Sequence, residues 1–227
     1  MNNCKIPKHP IHVLLDEFFA NAEMEGVIAE YQHKNSSCSK WLMFSDYCLD
    51  DKNKANDVMT FVLMPFENEA KYTEMQQKIH DMQPSDIKKT NTVDKDFLSY
   101  LKNENVLVFS FVFNDRKHFL ARTYGQCLKK VKETFQMICD CYEEWKKTAC
   151  NKEILKHYEK VVNTINQQLA TLNGKNPDIK LFNDILITAF LGAYVSVKVL
   201  EKLPIEIFGW FSDRDKVISG KDNIIVP

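Results

Sequence analysis

Glycine is scarce in this sequence, with six residues in 227, and neither common type of glycine-rich phosphate loop is present. The G-x-S-x-G turn of serine hydrolases is also missing, and no spacing of histidine, cysteine and aspartate indicates a nucleophilic triad. These absences argue against the commonest nucleotide-binding loops and against serine or cysteine hydrolases. Lys and Arg (30) nearly balance Asp and Glu (31), so no strong overall attraction to nucleic acid is expected.

The seven cysteines form no recognisable framework. Their number is odd and no C-x-x-C pair occurs, because Cys139 and Cys141 are separated by one residue, so neither a disulfide scaffold nor a zinc knuckle is predicted. No secretory signal precedes them, which favours reduced thiols in a cytoplasmic protein. The most apolar run, residues 185–197, is too short to span a bilayer and predicts a buried helix instead.

Apolar periodicity and turn residues predict an α/β fold, with a mixed sheet of four to five strands flanked by long helices. A single domain, residues 1–227, is expected, in which residues 1–39 form a helical N-terminal arm and residues 40–215 form the core. The arm should contain one helix from about Ile11 to Gln32. Strands are predicted at residues 40–49, 57–65, 105–114 and 205–211, and further helices at 67–82, 94–102, 124–150, 153–172 and 178–200.

The two middle strands carry too few polar residues for a sheet with one face in water. Neither face of the second strand is polar, which predicts an interior position. The third strand is almost continuously apolar, so burial on both of its faces by helices is expected. Phe109, Phe111 and Phe113 alternate along it, which is better explained by core packing than by a platform for stacked bases.

Three strand-like runs end in an aspartate. The first and last share the ending Phe-Ser-Asp, at Asp46 and Asp213, and the third strand is followed by Asp115. Together with Asp215, these carboxylates have the chemistry to hold Mg²⁺ or Mn²⁺ at one rim of the sheet. The alternative is that such aspartates only begin turns.

The order of these segments resembles that of the RNase H-like superfamily. An early strand with Asp46, a hairpin strand, a third strand, long helices and a later strand with Asp213 carry the resemblance over residues 40–215. It implies a metal-dependent nuclease or phosphodiesterase with Asp46 and Asp213 as catalytic metal ligands and nucleic acid as substrate. Asp115 has no firm counterpart in that superfamily.

The resemblance also implies a closing helix with one more carboxylate, but only fourteen residues follow Asp213. Three explanations stay open: a shortened version of the fold, a ligand from elsewhere, or a site that is not catalytic. Carboxylates elsewhere that could replace the missing ligand are Asp16, Glu17, Glu23, Glu25 and Asp184.

Basic residues near these aspartates suggest phosphate contacts. Arg214 and Lys216 alternate with Asp213 and Asp215, and they either bind a substrate phosphate or form surface ion pairs. His118 is a candidate general base or an ordinary loop histidine.

The rival to the nuclease is a non-catalytic binding or assembly subunit of a bacterial multi-protein system. Its helices would pack against a protein partner or a second copy of the chain. Such a subunit should expose a large apolar patch on a helix face, with the helices at residues 124–150 and 178–200 as candidates.

Overall fold

The structure is a computed structural model that describes residues 10–85, 92–116 and 128–212. Within these ranges it contains seven helices and four strands. In chain order they are α1 (Pro10–Phe19), α2 (Ala22–Lys34), β1 (Lys40–Cys48), β2 (Asp57–Pro65), α3 (Glu69–Met82), α4 (Lys95–Asn103), β3 (Leu107–Phe113), α5 (Leu128–Lys146), α6 (Lys152–Leu172), α7 (Ile179–Leu200) and β4 (Ile207–Ser212).

The four strands form one mixed sheet in the order β3-β2-β1-β4. The pairs β1–β2 and β2–β3 are antiparallel, whereas β4 returns after the helices to lie parallel to β1. A parallel neighbour requires a long crossover, and α5, α6 and α7 lie within it. The predicted α/β class with a mixed sheet is thus confirmed, as is the interior position of β2.

Side chains alternate between two unequal faces of the sheet. One face, here called the inner face, carries the fully buried core residues Trp41, Met43, Met59, Phe61 and Leu63. The opposite face, here called the outer face, comprises Leu42, Phe44, Asp46, Thr60, Val62, Val108, Ser110, Val112 and Phe211. None of these outer-face residues is fully buried.

Helix α7 covers the inner face. Thr188 and Ser196 of α7 lie 3.8 and 3.4 Å from the sulfur atoms of Met59 and Met43. Between them, Gly192 meets Trp210 of β4 so closely that an added Cβ would lie 2.6 Å from the indole ring. Glycine at this position therefore sets the distance between α7 and β4.

The prediction that β3 is buried on both faces is wrong. β3 lies at an edge of the sheet, and Val108 and Val112 on its outer face are 52% and 57% exposed. Only its inner-face aromatics join the core, where Phe109 stacks on Phe19 with ring centroids 5.5 Å apart. The apolar sequence of a strand does not by itself show whether helices cover both of its faces.

The N-terminal helix is also divided where a single one was predicted. Asn21 adopts an extended conformation and its side chain accepts a hydrogen bond from the backbone N–H of Glu23, at 2.9 Å. Such a cap starts a new helix, so α1 ends at Phe19 and α2 begins at Ala22. Both helices reach the core, since Tyr31 donates to the carbonyl of Leu63 at 3.0 Å.

Candidate functional site

The strand directions bring several chain segments to one end of the sheet. β1, β3 and β4 all finish there and β2 starts there, because β2 is antiparallel to its two neighbours. This end is here called the carboxyl end of the sheet. The first turns of α7 lie there as well, since Leu181 and Ile185 pack against Leu49 just after β1.

A buried arginine organises the carboxyl end. The side chain of Arg116 is 1% exposed and contacts three carboxylates. Its Nε donates to Asp57 at 2.7 Å, Nη1 donates to Asp184, and Nη2 lies 2.8 Å from Asp50. The Nη2 contact is an ion pair without hydrogen-bond alignment. These residues and Lys180, which pairs with Asp50, are here called the Arg116 cluster.

Two of these carboxylates come from the loop between β1 and β2 and from the first residue of β2, which are Asp50 and Asp57. Asp50 adopts a left-handed backbone conformation with φ 61°, which aspartate tolerates better than most residues. Its backbone N–H donates to Asp57 at 2.6 Å, so the two ends of the loop are tied together. The third carboxylate comes from Asp184, in the second turn of α7, whose N-cap Asp178 accepts from Leu181 at 3.1 Å.

Burial and charge act against each other in the cluster. Burial raises the pKa of Asp184 to about 7, and the attraction of Arg116 lowers it only in part. For Asp50, burial raises the pKa but Lys180 and Arg116 outweigh it, so the pKa falls below its ordinary value. Burial opposes the charged form of Arg116, yet the three carboxylates keep its pKa raised.

This arrangement has a balanced charge when Asp184 is protonated. Arg116 and Lys180 are then paired with Asp50 and Asp57, two basic against two acidic side chains. Three carboxylates converge on a guanidinium here, so the protein's own cation occupies the place that a metal ion would need. The cluster therefore connects the β1–β2 loop, the start of β2 and α7 at the carboxyl end of the sheet.

Asp46, the first predicted ligand, lies within β1 on the outer face and is exposed. It is paired across the sheet with Thr60, and Thr60 with Ser110, so three oxygen-bearing side chains form a row. The neighbouring Ser45 points to the inner face, where it accepts from the indole N–H of Trp210 at 2.8 Å. Asp46 is thus directed away from α7.

The remaining predicted ligands fall into two groups. Asp115 is exposed and lies two residues beyond the end of β3. The β3 residue at the level of Asp46 is Ser110, and β2 lies between β3 and β1. Asp213, Arg214, Asp215, Lys216 and His118 lie outside the described residues. Among the residues that the structure describes, no group of three or more His, Cys, Asp or Glu side chains is placed to hold a metal ion.

The other candidate carboxylates lie in different places. Asp16 accepts from the hydroxyl of Tyr194 at 2.7 Å and ties α1 to α7. Glu17, Glu23 and Glu25 are exposed on α1 and α2. Asp184 is the candidate that reaches the carboxyl end of the sheet, although its partner there is Arg116.

Sequence reasoning missed the role of Arg116 and of its partners Asp50 and Asp57. The available signals were an arginine directly after an apolar strand and a single aspartate inside the most apolar helix. A buried charge needs a partner of opposite sign, so these two residues could have been paired from the sequence.

The comparisons with known proteins give no match, whether with family models, curated proteins or solved structures. The fold itself defines the chain as an α/β protein with a four-stranded mixed sheet among the described residues. One described helix, α7, is long and apolar enough to cross a membrane, but 67% of its most apolar stretch is buried within the protein. This is consistent with the core helix of a soluble protein.

Proposed function

We propose that the protein is a metal-dependent nuclease or phosphodiesterase of RNase H-like type, acting in the cytoplasm. Asp46 and Asp213 are its catalytic metal ligands, with Asp115 or Asp215 as a further ligand. Arg214 and Lys216 bind the substrate phosphate. The observation that supports this is the parallel pairing of β1 and β4, in which Ser45 lies opposite Ser212. Asp46 and Asp213 are the next residues along the two segments.

The donor chemistry at Asp46 suits a hard cation. Its carboxylate is exposed on the outer face, beside the hydroxyl of Thr60, and Mg²⁺ and Mn²⁺ prefer such oxygen ligands. When bound, these ions supply a hydroxide nucleophile at neutral pH and stabilise the leaving oxygen of a phosphodiester. The task of Asp46 is to hold the cation at the exposed face, where a nucleic-acid strand has access.

Manganese binding tests the proposal directly. Electron paramagnetic resonance of Mn²⁺ titrated into the full chain should show at least one bound ion. Asp46→Asn should weaken this binding at least about tenfold and reduce cleavage of a labelled oligonucleotide by at least about a hundredfold, because a lost ligand removes charge stabilisation at the reacting phosphate.

The matched control is Asp140→Asn, an exposed aspartate of α5 that accepts from Gln136. It should bind Mn²⁺ like the unmodified chain. The proposal is rejected if the unmodified chain binds no Mn²⁺, or if Asp46→Asn binds it with unchanged affinity.

The second candidate is a non-catalytic binding or assembly subunit. The exposed apolar side chains of the outer face favour it, since Val108, Val112 and Phe211 are all more than half exposed. Val108 and Val112 lie on β3 and Phe211 lies on β4 at the opposite edge, and Val62 and Phe44 continue the apolar row between them. A contiguous apolar surface of this kind often marks a site of contact with a partner. A chain that binds no Mn²⁺ but forms a stable complex through this face would have this function.

A further inference from the structure

The edge strand β3 lacks the devices that usually protect a sheet edge. Of the described strands, only β2 pairs with it. Natural edges carry charges, prolines or bulges that discourage pairing with another chain. β3 reads Leu-Val-Phe-Ser-Phe-Val-Phe, with no charge, proline or glycine. Its inner-face aromatics anchor it to the core, so it presents an ordered strand at the edge of the sheet.

The sequence of this strand is complementary to itself. Residues 108–112 read Val-Phe-Ser-Phe-Val, which is identical in both directions. If a second copy of β3 pairs in antiparallel orientation about Ser110, then Val108 lies opposite Val112 of the partner and Phe109 opposite its Phe111. Valines then meet valines on the outer face and phenylalanines meet phenylalanines on the inner face, as a buried register requires.

A groove beside the strand adds contact area to such a pairing. Leu14 and Phe18 of α1, 56% and 53% exposed, line it together with Phe111, and its volume is about 450 Å³. Its described lining carries a single charged residue, Asp115, at the end of the strand. A stable interface covers roughly 800 Å² on each partner, more than paired strands supply alone, so the α1 side must contribute.

From this we infer that the protein forms a symmetric homodimer through β3, in which the two sheets join into one sheet of eight described strands. The two-fold axis passes beside Ser110 and stands perpendicular to the sheet, so both helical layers lie on the same side. A second copy fits better than an unrelated strand because the two-fold axis places each residue of the segment 108–112 opposite a residue of the same type. Pairing of this kind occupies the β3 edge of both copies, so the assembly closes at two copies.

Cysteine cross-linking tests the register. Ser110→Cys places two thiols directly opposite each other across the axis, within reach of a disulfide after small adjustments. Val108→Cys should not link to itself, because its own counterpart lies four residues along the strand, about 14 Å away. Val108→Cys mixed with Val112→Cys should link again. The unmodified chain, with its native cysteines, gives the background.

A charge at the axis tests the dimer itself. Light scattering after gel filtration should give twice the 26.5 kDa chain mass. Ser110→Lys, which places like charges opposite each other, should raise the dissociation constant at least about tenfold. The control Thr171→Lys, at an exposed position of α6, should remain dimeric, with circular dichroism to show that both variants fold.

Three results would overturn the inference. One is a monomer at all concentrations, and another is a dimer in which Val108→Cys links to itself while Ser110→Cys does not. The third is an open series of larger assemblies, since the proposed pairing leaves no β3 edge for a third copy.

Discussion

Arg116 is the residue on which the carboxyl end of the sheet depends. Its guanidinium joins the β1–β2 loop, the start of β2 and the second turn of α7 through Asp50, Asp57 and Asp184. Removal of Arg116 leaves Asp184, the buried one of the three carboxyl groups, without its ion-pair partner. The loss of one partner from a buried pair typically costs about 3–5 kcal/mol. One residue therefore connects three segments that are distant in sequence.

The titration of Asp184 gives this cluster a testable pH dependence. Because its folded pKa is about 7 and its ordinary value is 3.8, the folded chain holds a proton between these pH values that the unfolded chain has released. Stability from this group is therefore present at low pH and lost as the pH rises toward 7. Relative to Asp184→Asn, the free energy of unfolding should fall by roughly 2 kcal/mol between pH 5 and pH 8, measured by urea denaturation.

Asp50 provides a control of opposite sign. Its folded pKa is lowered, so its contribution is present above its ordinary pKa and is lost as the pH falls through the folded value. The difference between the unmodified chain and Asp50→Asn should therefore shrink on acidification. Parallel pH profiles for the unmodified chain and Asp184→Asn would contradict the account of Asp184.

Gly192 offers a second test at the residue scale. An added methyl group would lie 2.6 Å from the indole of Trp210 and 3.1 Å from Phe61, so Gly192→Ala should lower the free energy of unfolding by about 1–3 kcal/mol. Gly26 in α2 has no atom within 4 Å of such a methyl group, and Gly26→Ala should stabilise by about 0.5–1 kcal/mol. Equal effects in thermal unfolding would show that α7 does not approach β4 closely.

At the scale of elements, helix α5 is attached to the core mainly through its buried face. Phe135 is fully buried on that face and meets Phe182 of α7 edge to face, with ring centroids 5.5 Å apart. α5 and α6 also pack on each other, where Tyr142 meets Tyr158 edge to face with ring centroids 5.5 Å apart. The contact between Phe135 and Phe182 therefore links this helical pair to α7.

Phe135→Leu tests that link with a modest loss of volume. The free energy of unfolding should fall by about 1–2 kcal/mol, since a smaller side chain leaves a cavity and loses the aromatic contact. Met137→Ala, on the exposed side of the same helix, should change it by less than about 0.5 kcal/mol. Similar losses in both variants, measured by urea denaturation, would contradict the assigned faces of α5.

The helices and strands themselves were largely predictable. The strand at residues 57–65 was predicted with its observed bounds, and Asp94 caps α4 where a short helix was expected. The break at Asn21 was not, because apolar spacing continues from α1 into α2 and hides a cap that depends on one side-chain orientation. Local sequence signals predict such elements well, except where a single side-chain cap such as that of Asn21 divides a helix.

At the scale of the whole molecule, the two faces of the sheet are unequally buried among the described residues. α7 covers the inner face, whereas the outer face shows an apolar row of Val108, Val62, Phe44 and Phe211. Asp46 is on β1, beside β4, while the proposed dimer contact is on β3 at the edge away from β4. The manganese experiment changes Asp46, whereas the cross-linking experiment changes residues of β3, so either proposal can fail without the other.

The sequence by itself determined which segments become helices and strands, since periodicity and capping act between residues close in the chain. It also determined the apolar character of β3 and the aspartates that follow Phe-Ser. The tertiary structure decided that β3 lies at an edge, that β4 pairs beside β1, and that Arg116 gathers Asp50, Asp57 and Asp184. These features depend on which distant segments meet, because strand order and buried charge pairs are set by long-range packing.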